Sequence, residues 1–321
     1  VSKLLSVPSR QEILAACSQV STADFGKLDR ADIVQTKLNV LLAALEDEAT
    51  EKQAIKILHE LADDLAKQNS PSQNSLGAQP SEIDGELQQQ LVLKSVGLPS
   101  LPDPIRLLLT PAVFSPELWG RTFAEGLLKS KEQFQGKRIV EVGTGSGWIS
   151  LLLLFVTNVK EVLGLDLNPV AVTMAKLNTW LNGTTADGNY VLSMAGEPIV
   201  KVFQAEVSDF LSTPLASGQH FDHVIGCIPQ VLHPNPVKGE MNFGTGDSEN
   251  QEALSEKDLY DLSNYCFEQG ILEDRFGLPL IARALEQAQL CLNPGGRVTL
   301  VLGGRPGRQA IESMFDRRGY E

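Results

Sequence analysis

Apolar residues recur at helical spacing in two segments near the start of the chain: Ile33, Leu38, Leu41, Leu42 and Leu45, then Ile55, Leu58, Leu61, Ala62 and Leu65. Ahead of them Ser9-Arg10-Gln11-Glu12 has the Ser-x-x-Glu form of a capping box, and Ile13, Leu14, Ala16 and Cys17 suit a further helix. Residues 68–90 are rich in Ser, Gln, Asn, Pro and Gly and read as a linker. A small helical region over 1–90 and a second domain over 91–321 are therefore expected. Pro99, Pro102 and Pro104 exclude a long uninterrupted helix between Leu91 and Leu109. From Lys137 the texture changes. Arg138–Val142, Glu161–Asp166, Ile199–Phe203, His223–Cys227 and Arg297–Leu302 read as short strands, with helical patterns over Val170–Leu181, Leu280–Leu292 and Arg308–Arg318. Strands alternating with helices predict an α/β fold, with a mostly parallel sheet covered on both faces.

Composition narrows the field. With 321 residues, 42% apolar and 21% charged, the chain can bury a large core, which excludes disorder as its general state. Lys plus Arg is 27 against Asp plus Glu at 40, a net charge of -13 with no basic cluster, so nucleic acid is not an expected partner. The longest apolar run, Ile149–Val156, is far short of the ~20 residues of a membrane helix. The opening residues lack an initiator Met and a signal-peptide pattern, and Cys17, Cys227, Cys266 and Cys291 form no CxxC. A cytoplasmic protein with reduced thiols and a trimmed chain start is expected. His59, His220, His223 and His233 have no metal-ligand spacing, so no metal is expected. Asn182-Gly183-Thr184 matches a glycosylation sequon, which carries no meaning in that compartment.

The chemistry concentrates in Ile139-Val140-Glu141-Val142-Gly143-Thr144-Gly145-Ser146-Gly147-Trp148, where a strand runs into three glycines at alternate positions. Such a turn brings backbone close to a ligand, with no Cβ in the way. It is neither GxGxxG, since the third Gly comes one residue early, nor a P-loop, since no Gly-Lys-Ser/Thr follows. After the next strand, Leu165-Asp166-Leu167-Asn168-Pro169 places an acid where a carboxylate can accept both hydroxyls of a ribose. Together these motifs resemble the S-adenosylmethionine site of class I methyltransferases.

That resemblance implies a Rossmann-like fold and a set of cofactor-binding residues. The loop of Gly143, Thr144, Gly145, Gly147 and Trp148 would lie under the methionine moiety, and Glu141 would orient the loop and the cofactor's amino group. Asp166, with Leu167 and Asn168, would hold the ribose; Glu206 and Val207, at the end of the third strand, would face the adenine. Cys227 and Ile228 close the set. S-adenosylhomocysteine would be the product. Class I methyltransferases usually end in an antiparallel pair, and no hairpin is legible after Arg297–Leu302, so the terminal hairpin is expected to be missing.

Enzymes of this class that methylate planar nitrogen often carry Asn/Asp-Pro-Pro-aromatic after the fourth strand. Here Cys227-Ile228-Pro229-Gln230 stands in its place, lacking both the polar anchor and the stacking ring. Gly226–Pro236, Leu262–Cys266, Gly270–Leu278 and Gly303–Gly307, with Phe114-Ser115-Pro116-Glu117 upstream, resemble the methyltransferase portion of plant methionine S-methyltransferases. The resemblance implies methyl transfer to the thioether of free methionine. It further implies that this is an amino-terminal fragment of a longer chain whose carboxy-terminal aminotransferase-like region mediates homo-oligomerisation. A thioether has no proton to lose, so no catalytic acid or base is expected; alignment and desolvation suffice. The expected positioning residues are Pro229, Gln230, Tyr265, Arg275 and Trp119. Arg275 is favoured for the carboxylate over Arg121 and Arg305, and Tyr265 with Trp148 for the sulfonium over Phe243 and Tyr260. Two other functions fit the same sheet: a glutamine or other protein-side-chain methyltransferase, and a non-catalytic cofactor-binding domain.

Overall fold

The computed structural model describes residues 30–68, 90–116, 118–230, 277–304 and 306–321. The expected helix after Ser9 and nearly all of the polar linker lie outside them. Two helices open the described chain, α1 (Arg30–Glu46) and α2 (Glu51–Gln68), followed by an antiparallel pair, β1 (Val92–Val96) and β2 (Ile105–Leu109). Helix α3 (Leu118–Leu128) leads into β3 (Arg138–Val142), α4 (Trp148–Val156), β4 (Glu161–Asp166), α5 (Pro169–Gly183) and β5 (Phe203–Val207). Then come β6 (Phe221–Gly226), α6 (Pro279–Cys291), β7 (Leu292–Leu300) and α7 (Arg308–Asp316). The sheet has the order β5-β4-β3-β6-β7 with every pairing parallel, as the alternating pattern predicts. Because β3 lies between β4 and β6, the chain reverses direction across the sheet beside it, the place where ligands bind in open α/β sheets.

Helices cover both faces, so the strands are apolar on both sides. Ile139, Val162, Ala205 and Ile225 point into a core shared with α1, α2, β1, β2, α4 and α5. Val140, Val142, Leu163, Leu165 and Val224 face a second core with α6 and Met314 of α7. Asn168 caps α5 by accepting the Val170 N–H at 2.9 Å, and Pro169 occupies the first turn, where its missing N–H costs nothing.

Three strand boundaries differ from expectation, the smallest being that of β6, which runs Phe221–Gly226 where His223–Cys227 is expected. Ile199–Phe203 is not a strand: after Pro198, Ile199–Val202 makes one helical turn that buries Ile199, and the strand begins only at Phe203. Burial at a packing site overrides the β preference of Ile and Val. The last strand runs Leu292–Leu300 instead of Arg297–Leu302, starting earlier because Leu292 pairs with Phe221 across a register shift. The only antiparallel pair among the described residues, β1–β2, lies ahead of the sheet and not after it.

Among the described residues, hairpin β1–β2 meets no third strand; α5 supplies hydrogen bonds to its outer edge. Asn178 accepts the Leu108 N–H at 2.7 Å and donates to Leu108 O at 3.1 Å. One turn on, Asn182 treats Arg106 the same way, at 2.9 and 2.7 Å. The sequon asparagine is thus committed to the backbone of β2.

Candidate active site

The glycine loop leaves β3 with its backbone fixed from below. Gly143 and Thr144 donate their N–H groups to Leu165 O at 2.8 and 2.9 Å, and Gly147 donates to Thr144 O at 2.9 Å. All three glycines have positive φ, of 72°, 55° and 78°, which favours glycine at each. Their surroundings differ. A Cβ on Gly145 would meet no atom within 4 Å and one on Gly143 only Cys227 O at 3.9 Å, so these two border open space. At Gly147 it would lie 2.9 Å from the Phe203 ring and 3.2 Å from the Ala175 methyl. The third glycine is there for packing.

Two acids brace the loop. Glu141 is buried, and its Oε2 accepts the hydroxyls of Thr144, at 2.8 Å, and of Ser150. Burial outweighs these bonds and pushes its carboxyl up to about 7. Asp166 Oδ2 accepts the Gly145 N–H and Oδ1 the Asn168 N–H, each at 2.9 Å. Its carboxyl is also raised by burial, against the pull of those N–H groups. Sequence reasoning did not anticipate Asn178, whose Nδ2 also donates to Ser146 O at 3.0 Å and so ties the loop to β2. The signal was there: an Asn at the centre of an otherwise apolar helix face must be satisfied.

Around this loop the strand ends offer the surfaces a nucleoside needs. Leu167 and Val207, just past β4 and at the end of β5, are 51% and 50% exposed, and Glu206 is half-buried beside Val207. Asn168 also donates to Ala112 O at 2.9 Å, holding the segment between β2 and α3 beside the site. Open space at the first two glycines, an acid at the second strand end and exposed apolar side chains beside it fit S-adenosylmethionine.

The loop after β6 forms the other wall. Cys227 is half-buried, and burial, with the Glu141 carboxylate nearby, pushes its thiol up to about 11, so it is neutral. Ile228 is buried and Pro229 exposed. The Gln230 side-chain oxygen accepts the Gly303 N–H, linking this loop to the one after β7. Trp119, 61% exposed, stands beside it, with Cη2 3.9 Å from the Cβ position of Gly303. The structure therefore brings Gln230 and Trp119 together at Gly303, with Pro229 beside Gln230 in the chain. Trp148 does not offer a face to a ligand: it is buried against Gly120, its Cζ2 3.0 Å from that Cβ position. Arg121 is exposed on α3. Tyr265, Arg275, Phe243, Tyr260 and Arg305 lie outside the described residues.

A family model, ribosomal protein L11 methyltransferase (PrmA), matches residues 125–216. A methionine S-methyltransferase of Zea mays is 39% identical over 217 residues, covering 67% of this chain and 19% of its own. That of Arabidopsis thaliana is 32% identical over 317 residues, 98% of this chain and 27% of its own. The chain thus spans about a fifth to a quarter of the length of these relatives. A ribosomal protein L11 methylase structure from Lactobacillus delbrueckii is 16% identical with a TM-score of 0.40, covering 69% of this chain and 79% of its own. With this sheet and this family match, the chain is similar to class I, S-adenosylmethionine-dependent methyltransferases, and in sequence to plant methionine S-methyltransferases.

Proposed function

We propose that the chain transfers the methyl group of S-adenosylmethionine to the thioether sulfur of free methionine, giving S-methylmethionine and S-adenosylhomocysteine. The observation that carries this reading is the wall after β6. An amide or carboxylate that would grip an N–H is replaced by the neutral thiol of Cys227, and the ring that would stack on an amide is replaced by Gln230. Such a wall suits a soft nucleophile that presents no hydrogen to bind. The names of the relatives support the same acceptor.

The bound cofactor supplies a methyl carried on sulfonium; the methionine sulfur's lone pair forms the new C–S bond as the old one breaks, and the positive charge moves between sulfurs. No proton changes hands, so the residues need only hold, align and dry the reactants. Gly143, Thr144, Gly145 and Gly147 shape the cradle, Asp166 with Leu167 and Asn168 binds the ribose, and Glu206 and Val207 flank the adenine. Glu141 pairs with the amino group. Cys227, Pro229, Gln230 and Trp119 face the acceptor, with Ile228 buried behind them. The test is incubation with methyl-labelled cofactor and methionine, followed by mass spectrometry for a sulfonium product. Label appearing only in protein glutamine would refute the acceptor, and binding without any transfer would refute catalysis.

A further inference from the structure

We propose that Gln230 selects the free α-carboxylate of the acceptor: the chain holds its amide oxygen, and its NH2 group is the donor offered to substrate. This rests on the acceptor being free methionine, as proposed above. The backbone N–H of Gly303 can only donate, so the Gln230 amide must meet it with oxygen. That single bond fixes which end of the amide faces the other way. Among the described residues no group takes the Nε2 hydrogens.

The arrangement depends on three local features. A Cβ on Gly303 would sit 2.9 Å from the Gln230 oxygen, so a glycine is needed for the amide to approach. The Val301 N–H donates to Gly226 O at 3.2 Å, which pins the Gly303 segment to the end of β6 and gives Gln230 a fixed anchor. Trp119 lies beside the same point, so donors and an apolar ring border one place. A methionine fits this pairing with its thioether arm along the ring and its carboxylate on the amide hydrogens. An ammonium in the carboxylate's place would set donor against donor, and a carboxamide or ester there would lack the charge that strengthens the bond.

Steady-state kinetics with methionine and methioninamide on wild type, Gln230→Glu and Gln230→Leu test the assignment. Glutamate keeps an oxygen for Gly303 and puts a second oxygen where the NH2 stood. It should raise KM for methionine about 10- to 150-fold, the worth of one charged hydrogen bond, and leave or lower KM for methioninamide. Leucine should raise KM for methionine about 10-fold and KM for methioninamide distinctly less, since its neutral carbonyl loses only the weaker bond. Calorimetric cofactor affinity should stay within about 2-fold in both, since the amide faces the acceptor and not the nucleoside. Equal changes for the two acceptors would reduce Gln230 to a loop brace and overturn the proposal, as would no change for either. Wild-type protein inert toward methionine would overturn the proposed function and this assignment with it, whereas active wild type with unaltered preference in both variants would overturn this assignment alone.

Discussion

Replacing Glu141 by Gln should stabilise the empty protein in a pH-dependent way. The carboxyl is 2% exposed, and burial lifts its pKa from 4.5 to about 7 despite the Thr144 and Ser150 hydroxyls. Between those values the native state keeps a proton that the unfolded chain has released, so stability falls as pH rises through the window and stays depressed above it. At about 1.4 kcal/mol per unit, the depression reaches about 3 kcal/mol. Gln has the same shape, its oxygen still accepts both hydroxyls, and it carries no charge. Urea unfolding of both proteins from pH 4.5 to 8 should show the variant gaining up to about 3 kcal/mol at pH 8 and almost nothing at pH 4.5, at unchanged m-value. A difference that does not vary with pH would show that the carboxyl does not titrate there, and the account of its burial would fail.

The glycines should separate by phenotype. Gly145→Ala, facing open space, should lose cofactor affinity in calorimetry while costing about 1 kcal/mol of stability for its positive φ. Gly147→Ala should cost distinctly more in urea unfolding through collision with Phe203, and equal destabilisation by the two would refute the distinction. Asp166→Ala should weaken cofactor binding by about 1.5 to 3 kcal/mol, and unchanged affinity would remove it from the ribose site. Peptide-resolved alkylation at pH 8 should find Cys227 reacting roughly 100-fold more slowly than free cysteine, because its thiol is pushed up to about 11.

What the sequence revealed tracks the range of the interactions involved. Strand β3, the glycine loop and Asp166 were readable because each signal is local: an apolar run, a turn of alternate glycines, an acid at a strand end. The hairpin was not, since β2 draws its hydrogen bonds from Asn178 and Asn182, some 70 residues away. Ile199–Val202 misled for the same reason, its β-branched residues being recruited to a helical turn. Trp119 and Trp148 look alike in sequence, yet Gly120 lets one ring sink into the core while the other stays at the surface. Gln230 was legible as an odd residue at a telling position; which end of its amide is committed depended on Gly303.

The helices before the hairpin share one apolar body with α5 and a face of the sheet. Leu38, Leu45, Leu58 and Leu65 are buried there against elements made much later in the chain. During synthesis these leucines leave the ribosome about a hundred residues ahead of α5, and for several seconds at ordinary elongation rates they lack the part of their cover that α5 provides. Until then, only the partner helix and the hairpin can cover them.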